Sequence, residues 1–325
     1  MSKAGRKAIL AGNIGVPPLD LAEDIQHDTE VIFEMSSHQL EHITVAPRIA
    51  VILNVFPEHL DHYGDFTAYK MAKFNIGRMQ PEGGKLLYNA DDPIVNELVK
   101  EQAGKKETSS FSITDRKATS FYDAQTIICK DESGQEHSFP LSDILGLPGL
   151  HNVMNMLAAI LVCIEKQLDD ADILEGLKTY ERLPHRLEYV GTYNGIQFYD
   201  DSIATIPEAT IAALETFEHV DMLILGGYDR GLEYHSLYRR LSDKPVPNLI
   251  FMGDAGKRMH EEWMEFSVDD SRSFLVQNLD EVSGIIKDYL NQGDVCLLSP
   301  AAASYGMYRD FEERGEAFKK MAAAI

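Results

Sequence analysis

The stretch Arg48–Lys73, RIAVILNVFPEHLDHYGDFTAYKMAK, decides the reading of this chain. Its first part, Ile49–Phe56, is a short apolar run broken only by Asn54 and closed by Pro57, the pattern of a buried strand. Glu58, His59, Asp61 and His62 then crowd two carboxylates and two histidines into five residues. A helical pattern follows from Asp65. Polar residues at that place form either a solvated turn or a metal or phosphate site at the end of a buried strand, and the stretch alone does not choose between them.

Outward from it, strand and helix patterns alternate. TEVIFEMS (29–36) and GGKLLYNA (83–90) read as further strands, while PPLDLAEDIQ (17–26), DFTAYKMAKFNIGRM (65–79) and DPIVNELVKEQ (92–102) carry helical spacing. That rhythm predicts a largely parallel sheet covered by helices. From about Thr108 to Pro140 the texture turns antiparallel, with TIICKD, the turn ESGQ and then EHSFPL, which predicts a peripheral hairpin region. Two helices are expected over 151–167 and 169–183. In EYVGTYNGIQFYDDS (188–202), Asn194-Gly195 between alternating runs predicts a hairpin. The α/β rhythm restarts with PEATIAALETF, DMLILGG, PNLIFMG and DVCLLSP, and a last helix is expected from about Asp310. The fold class is therefore α/β, with two doubly wound domains, residues 1–183 and 184–325, meeting near Leu183-Pro184.

Composition narrows the function. The 325 residues are 44% hydrophobic and 25% charged, ordinary for a chain that folds. A formal charge of −22, without a dense Lys/Arg cluster, opposes a nucleic-acid partner. The longest strongly apolar stretch, NMLAAILVCI, is about half a membrane span, so no membrane partner is expected. Cys129, Cys163 and Cys296 are few, odd in number and scattered, as expected of buried thiols in a reducing cytoplasm.

Ligands of open parallel sheets collect beyond the carboxyl ends of the strands. EMSSHQ offers Glu34, Ser36 and Gln39 at one such end, and the stretch after Phe56 offers His59 and Asp61 at the next. Acidic and imidazole groups converging from two strand ends suit a divalent cation, and a mainly oxygen set suits Mg²⁺; a solvated helix cap is the alternative for Glu34. LPGLHNVMNMLAAI places Asn152 as a candidate helix N-cap with Asn155 one turn on. DDSIAT and LGGYDRG each end a strand with residues that permit close backbone approach. SPAAASYGMYRDFEERG follows another strand and is expected to open a helix whose free N–H groups meet an anion.

Eight segments, in order and spread over almost the whole chain, resemble the Mur ligase family: GNIG (12–15), EMSSHQL (34–40), NVFPEHLDHY with YKMAK ending at Lys73, GLHNVMNMLAA (149–159), LPHRLE (183–188), YDDSIAT (199–205), LGGYDRG (225–231) and SPAAASYGMYRDFEERG (299–315). The resemblance is strongest to the branch that adds glutamate to UDP-N-acetylmuramoyl-L-alanine. It implies ATP-dependent formation of an acyl phosphate, followed by attack of the glutamate amine, with two Mg²⁺ ions. Glu34 matches the ligand of the ion on the ATP phosphates. His59 matches a ligand of the second, and Lys73 a lysine that the family carbamylates to help hold it. Asn13, Ser36 and Gln39 match positions near the UDP-muramoyl substrate. Asn152 and Asn155 match adenine contacts, while Arg186 and Asp201 match ATP contacts. Thr205, Arg230, Ser304, Tyr305 and Phe311 match positions for the incoming glutamate. A monomer is expected.

This chain departs from the family pattern at Ile203 and Ile206, where a lysine and an asparagine are common, and at Gly306, where an aspartate is frequent. A sub-branch resembling this pattern adds L-glutamate, so both enantiomers stay open, with the D form favoured. The family order would also place a UDP-binding domain and a G-x-x-G-K-[ST] loop before AGNIG, and the sequence contains neither. The 325 residues are accordingly expected to fold without ligating, and a non-catalytic remnant that binds a nucleotide or a partner remains a second reading.

Overall fold

The apolar run that opens the deciding stretch becomes a strand at Ile49–Ile52, and Phe66–Arg78 becomes the helix expected after it. The computed structural model describes residues 1–13, 16–102, 104, 106–144, 149–180, 183–266 and 271–325. Contacts divide the chain into two units, Met1–Tyr180 and Glu181–Ile325. Ile14 and Gly15 of the GNIG segment, and Leu147 and Pro148 before the Asn152 helix, lie outside the described residues, as does the side chain of Asp61.

In the first unit β1 (Ala8–Gly12) and β2 (Glu30–Glu34) form a parallel two-stranded sheet of their own. Helix α1 (Ser37–Glu41) follows, then β3 (Ile49–Ile52), the single turn α2 (Leu60–Tyr63), α3 (Phe66–Arg78), β4 (Lys85–Asn89) and α4 (Pro93–Gln102). The sheet continues through β5 (Glu107–Ser112), β6 (Ser120–Asp123), β7 (Thr126–Lys130) and β8 (Glu136–Pro140), and α5 (Leu150–Glu165) and α6 (Asp170–Lys178) close the unit. Strands β3 to β8 lie in sequence order, parallel as far as β6 and antiparallel beyond it. Both faces are covered, because successive residues of a strand point to opposite sides. Leu86 joins Tyr69, Phe74, Val95 and Leu98 from α3 and α4, while Leu87 joins Val153, Leu157 and Leu161 from α5.

Two expectations need correction. β5 pairs in parallel with β4, so the antiparallel part begins only at the β6–β7 turn and extends the main sheet. PPLDLAEDIQ forms only a 3₁₀ turn, Pro18–Leu21, with no buried residue; without a packed face nothing offsets the cost of nucleating a helix there.

The second unit begins with the predicted hairpin. β9 (Glu188–Tyr193) and β10 (Ile196–Asp200) are joined by Asn194 and Gly195, both at positive φ. There follow α7 (Pro207–Leu214), β11 (Met222–Gly226), α8 (His235–Asp243), β12 (Asn248–Met252), α9 (Gly253–Phe266), β13 (Arg272–Val276), α10 (Leu279–Tyr289), β14 (Val295–Leu298) and α11 (Phe311–Ala323). The strand order is β13-β12-β11-β14-β10-β9, parallel except for β9. Near-continuous apolar strands fit a sheet buried on both sides. Leu223, Leu225, Leu249 and Phe251 face α8 and α9, whose Tyr238, Met259 and Trp263 lie in the same cluster. Met222, Ile224, Ile250 and Met252 face α10 and α11 through Val282, Ile286 and Phe318. This unit is doubly wound. Its sheet puts β10, β14 and β11 side by side, so the chain leaves three neighbouring strands at one end of the sheet.

Among the described residues no helix is long and apolar enough to cross a membrane. Cys129 and Cys296 are buried, Cys163 is half-buried, and all three are free thiols.

Candidate functional site

In the first unit the candidates gather where β2 and β3 end. The backbone N–H of Asn13 donates to Glu34 O at 2.9 Å, and its Nδ2 donates to Glu34 Oε1 at 3.1 Å. Gly12 makes that approach possible: at φ +103, a Cβ there would lie 2.1 Å from Glu34 O. Glu34 is exposed, a carboxylate at a strand end rather than a helix cap. The cap of α1 is Ser36. Its Oγ accepts from Gln39 N at 3.3 Å, and Gln39 Oε1 accepts from Ser36 N at 2.8 Å, a reciprocal capping box. Ser36 and Gln39 therefore hold the helix start, a role that the S-x-x-Q spacing encodes and the sequence reading missed.

His59 sits at φ 54, a conformation uncommon outside glycine, and starts α2 by accepting from the N–H groups of His62 and Tyr63. The ring of His38, from α1, lies 4.9 Å from that of His59 and 4.6 Å from that of His62, and His62 Nε2 is 3.0 Å from Glu41. The segment after Glu34 and the segment after β3 thus meet through imidazoles, of which His38 was not foreseen. Lys73 points along α3 with its Nζ 5.4 Å from the Tyr69 ring centroid. Burial lowers the pKa of its amine, against a smaller upward pull from Glu58. A neutral amine is the form that reacts with CO₂.

Asn152 does not cap α5. The N-cap is Gly149, which reaches φ 95 and ψ 144, a turn unfavourable for a side-chain-bearing residue; Asn152 lies in the first turn, and Asn155 is exposed one turn on.

In the second unit three loops leave the adjacent ends of β10, β14 and β11. The LPHRLE loop beside them is strained, with His185 at φ 61 and Leu187 at φ 45. Carboxylates hold both positions: Glu188 Oε2 accepts from His185 N at 2.8 Å, and Asp201 Oδ1 accepts from Leu187 N at 3.1 Å. Arg186 between them is exposed. Strain of this kind, about 1–3 kcal/mol per residue, persists where the surroundings over-determine it and is frequent at binding sites. Asp201 is 5% exposed, and its second oxygen accepts from Ser299 Oγ at 2.8 Å. Burial pushes its pKa up to about 7 despite those bonds. Asp200, fully buried, lies 2.7 Å from His185 Nδ1, and burial raises its pKa as well.

Arg230 donates through Nη2 to Thr205 O at 2.7 Å, which joins the β11 and β10 loops. Neighbouring Asp229 is clamped by Arg258 of α9, whose Nε and Nη2 donate to its two carboxylate oxygens at 2.7 and 2.8 Å. Tyr228 N donates to Ala303 O at 2.8 Å, and the Tyr228 and Tyr305 rings stand 6.4 Å apart, both exposed. Ser304 is buried, and the Phe311 ring lies 6.1 Å from that of His185. Thr205, Arg230, Tyr305 and Phe311 are thus linked through the loops of three adjacent strands. SPAAASYGMYRDFEERG opens the expected helix at its far end, with Asp310 as the N-cap. α11 starts at Phe311, and the carboxylate of Asp310 already accepts from Glu313 N.

Residues 10–163 match the family described as Mur ligase middle domain, and residues 185–302 the one described as Mur ligase, glutamate ligase domain. The chain is 35% identical over 327 residues to the UDP-N-acetylmuramoylalanine–D-glutamate ligase of Salinibacter ruber, covering 99% of this chain and 70% of that protein. To the protein of the same name from Acetivibrio thermocellus it is 34% identical, covering 100% and 70%. Its fold is similar to MurF from Acinetobacter baumannii, with a TM-score of 0.71 at 17% identity over 98% of this chain and 71% of that one. MurF ligase from Thermotoga maritima, solved in complex with ADP, gives 0.70 at 19% identity, covering 99% and 74%.

Proposed function

Since the chain belongs to the Mur ligase family, we propose that it is an ATP-dependent, ADP-forming amide ligase that adds glutamate, the D enantiomer in preference to the L, to UDP-N-acetylmuramoyl-L-alanine in peptidoglycan synthesis. The observation that carries this reading is the convergence of the β10, β11 and β14 loops, with Arg230 bonded to Thr205 beside the Ser304–Phe311 segment. Relatives at about a third identity are named for the D-glutamate reaction.

In this reading Arg230 takes the side-chain carboxylate of the incoming amino acid in a forked, charge-assisted pair. Thr205, Ser304, Tyr305 and Phe311 line the same site. Arg186 meets the nucleotide phosphates, while Asp201, with both oxygens engaged, serves by fixing the Leu187 N–H and hence the Arg186 loop. Asn152 and Asn155 face the adenine, and Asn13, Ser36 and Gln39 face the UDP-muramoyl substrate. The donor set of the first unit fits a hard divalent cation: Glu34 is an exposed carboxylate, its orientation fixed by Asn13. Glu34 would hold one Mg²⁺, and His59 with a carbamylated Lys73 a second. Mg²⁺ supplies neutralisation of phosphate and carboxylate charge. The protein acts as a monomer in the cytoplasm.

The test is phosphate release by the full-length gene product that carries these residues, given Mg-ATP, UDP-N-acetylmuramoyl-L-alanine and one glutamate enantiomer at a time. Release that depends on D-glutamate is expected. Release with L-glutamate alone would move the protein to the other sub-branch, and no glutamate-dependent release would overturn the ligase reading.

A further inference from the structure

Arg314 occupies the first turn of α11 and is 1% exposed, among the largest fully buried side chains of the protein. Its guanidinium reaches all three loops of the candidate glutamate site. Nε donates to Ser202 Oγ at 3.0 Å and Nη2 to Ser202 O at 2.7 Å, in the loop after β10. Nη1 donates to Ala302 O at 3.0 Å, after β14, and at 3.4 Å to Gly226 O, the last residue of β11. Ser202 Oγ in turn donates to Phe311 O at 2.7 Å.

The surroundings are shaped to this fork. A Cβ on Gly227 would stand 2.9 Å from Arg314 Nη1 and 2.1 Å from Ala303 O. One on Gly315 would stand 2.1 Å from His185 Nδ1. Burial lowers the pKa of the guanidinium to about 10, which leaves it charged at neutral pH. A buried cation bonded to main-chain carbonyls and a hydroxyl, rather than to a carboxylate, fixes geometry at a cost in desolvation.

We propose that Arg314 is a positioning residue for the amino-acid site: its planar fork sets the spacing of the Ser202, Gly226 and Ala302 loops and so the relative placement of Thr205, Arg230 and Ser304. Arg314 does not touch the amino acid. The inference rests on the glutamate reading of that site. Lysine keeps the charge but offers one point donor in place of the fork, and cannot hold three loops in register.

The test measures D- and L-glutamate affinity by calorimetry, with melting temperature, on the full-length product and its Arg314→Lys, Ser202→Ala and Arg230→Ala variants. Arg314→Lys is expected to keep a cooperative melt yet bind the preferred enantiomer roughly tenfold or more weakly. The amide resonances of Thr205, Arg230 and Ser304 should move together in its spectrum. Ser202→Ala, which removes the Nε acceptor and the hydroxyl's bond to Phe311 O but keeps the Ser202 main-chain oxygen, should show a smaller loss in the same direction and covers the case in which Arg314→Lys does not fold. If Arg230→Ala abolishes binding while a folded Arg314→Lys, or Ser202→Ala where that variant does not fold, binds like the parent, the positioning role is overturned and the site reading stands. A parent protein that binds neither enantiomer, or an Arg230→Ala variant that binds normally, overturns the site reading and this inference with it.

Discussion

Arg230 Nη2 and the main-chain oxygen of Thr205 are 2.7 Å apart, a bond that crosses from the loop after β11 to the loop after β10. It ties a cation to the loop whose threonine lies in the same candidate site. Replacing Arg230 by alanine removes the guanidinium that would pair with the substrate carboxylate, and a lost charge-assisted pair costs about 1.5–3 kcal/mol, or roughly ten- to a hundredfold in affinity. The expected result is a large rise in apparent KM for glutamate with little change for ATP. Equal effects on both substrates would count against the assignment.

Lys73→Ala is expected to abolish ligation and to recover part of it when short-chain carboxylates are added, since these supply the anionic oxygens that a carbamate would provide. After incubation of the protein with ¹³C-bicarbonate, a carbamate carbon signal should be present in the parent and missing from the variant. Burial lowers the pKa of Lys73 and so raises its share of neutral amine, the form that reacts with CO₂. Full activity in the alanine variant would refute the role.

Much of this arrangement is legible in the sequence, for reasons that differ from element to element. Buried strands such as Met222–Gly226 and Asn248–Met252 announce themselves as short apolar runs, and Asn194-Gly195 announces its turn. α8, α9, β13 and α10 do not stand out in this way. In α9 the apolar residues are spread among many charges, as in DAGKRMHEEWMEF, so the stripe formed by Ala255, Met259 and Trp263 is clear only once the sheet is beneath it. The candidate site residues follow from family resemblance and the positions of strand ends. The residues that hold them escape notice because a buried charge and an exposed one look alike in sequence. A signal exists for Arg314. It shares a face with Phe318 and Met321, at i, i+4 and i+7, where the rest of the stripe is apolar.

Asp201 predicts a pH dependence of stability. Its pKa is about 7 in the folded chain against 3.8 for an ordinary aspartate, so between those values the folded state keeps a proton that the unfolded state gives up. The stabilising contribution is fully present below the lower value and is lost as pH rises through the upper one. The Asp201→Asn substitution mimics the protonated form: the new amide can accept from Leu187 N and donate to Ser299 Oγ, whose own proton can turn to Thr210 Oγ1 at 3.1 Å. Melting temperatures from pH 5 to 8 should fall less steeply in that variant than in the parent. Parallel profiles would show that Asp201 does not titrate in this range.

Two glycines of the same site should differ sharply in their response to alanine. Gly226 ends β11 at φ +104, and an added Cβ would meet Met252 O at 2.1 Å and the Gly256 Cα at 2.7 Å, where β11, β12 and the start of α9 pack together. Both obstacles are backbone and cannot rotate away. Left-handed strain of about 1–2 kcal/mol is then added to a steric overlap that only a shift of the strand end can relieve. Gly306, in the exposed turn after Ser304, has φ +82, but the nearest atom to an added Cβ is Tyr228 Cδ2 at 3.9 Å. Gly306→Ala should carry the conformational strain alone and leave a cooperative melt a few degrees lower. Gly226→Ala should abolish the folded second unit or lower its melting temperature far more. Near-equal melting temperatures for the two variants would mean that the β11 end gives way more easily than its neighbours suggest, and that the register of the Arg230 loop is held elsewhere.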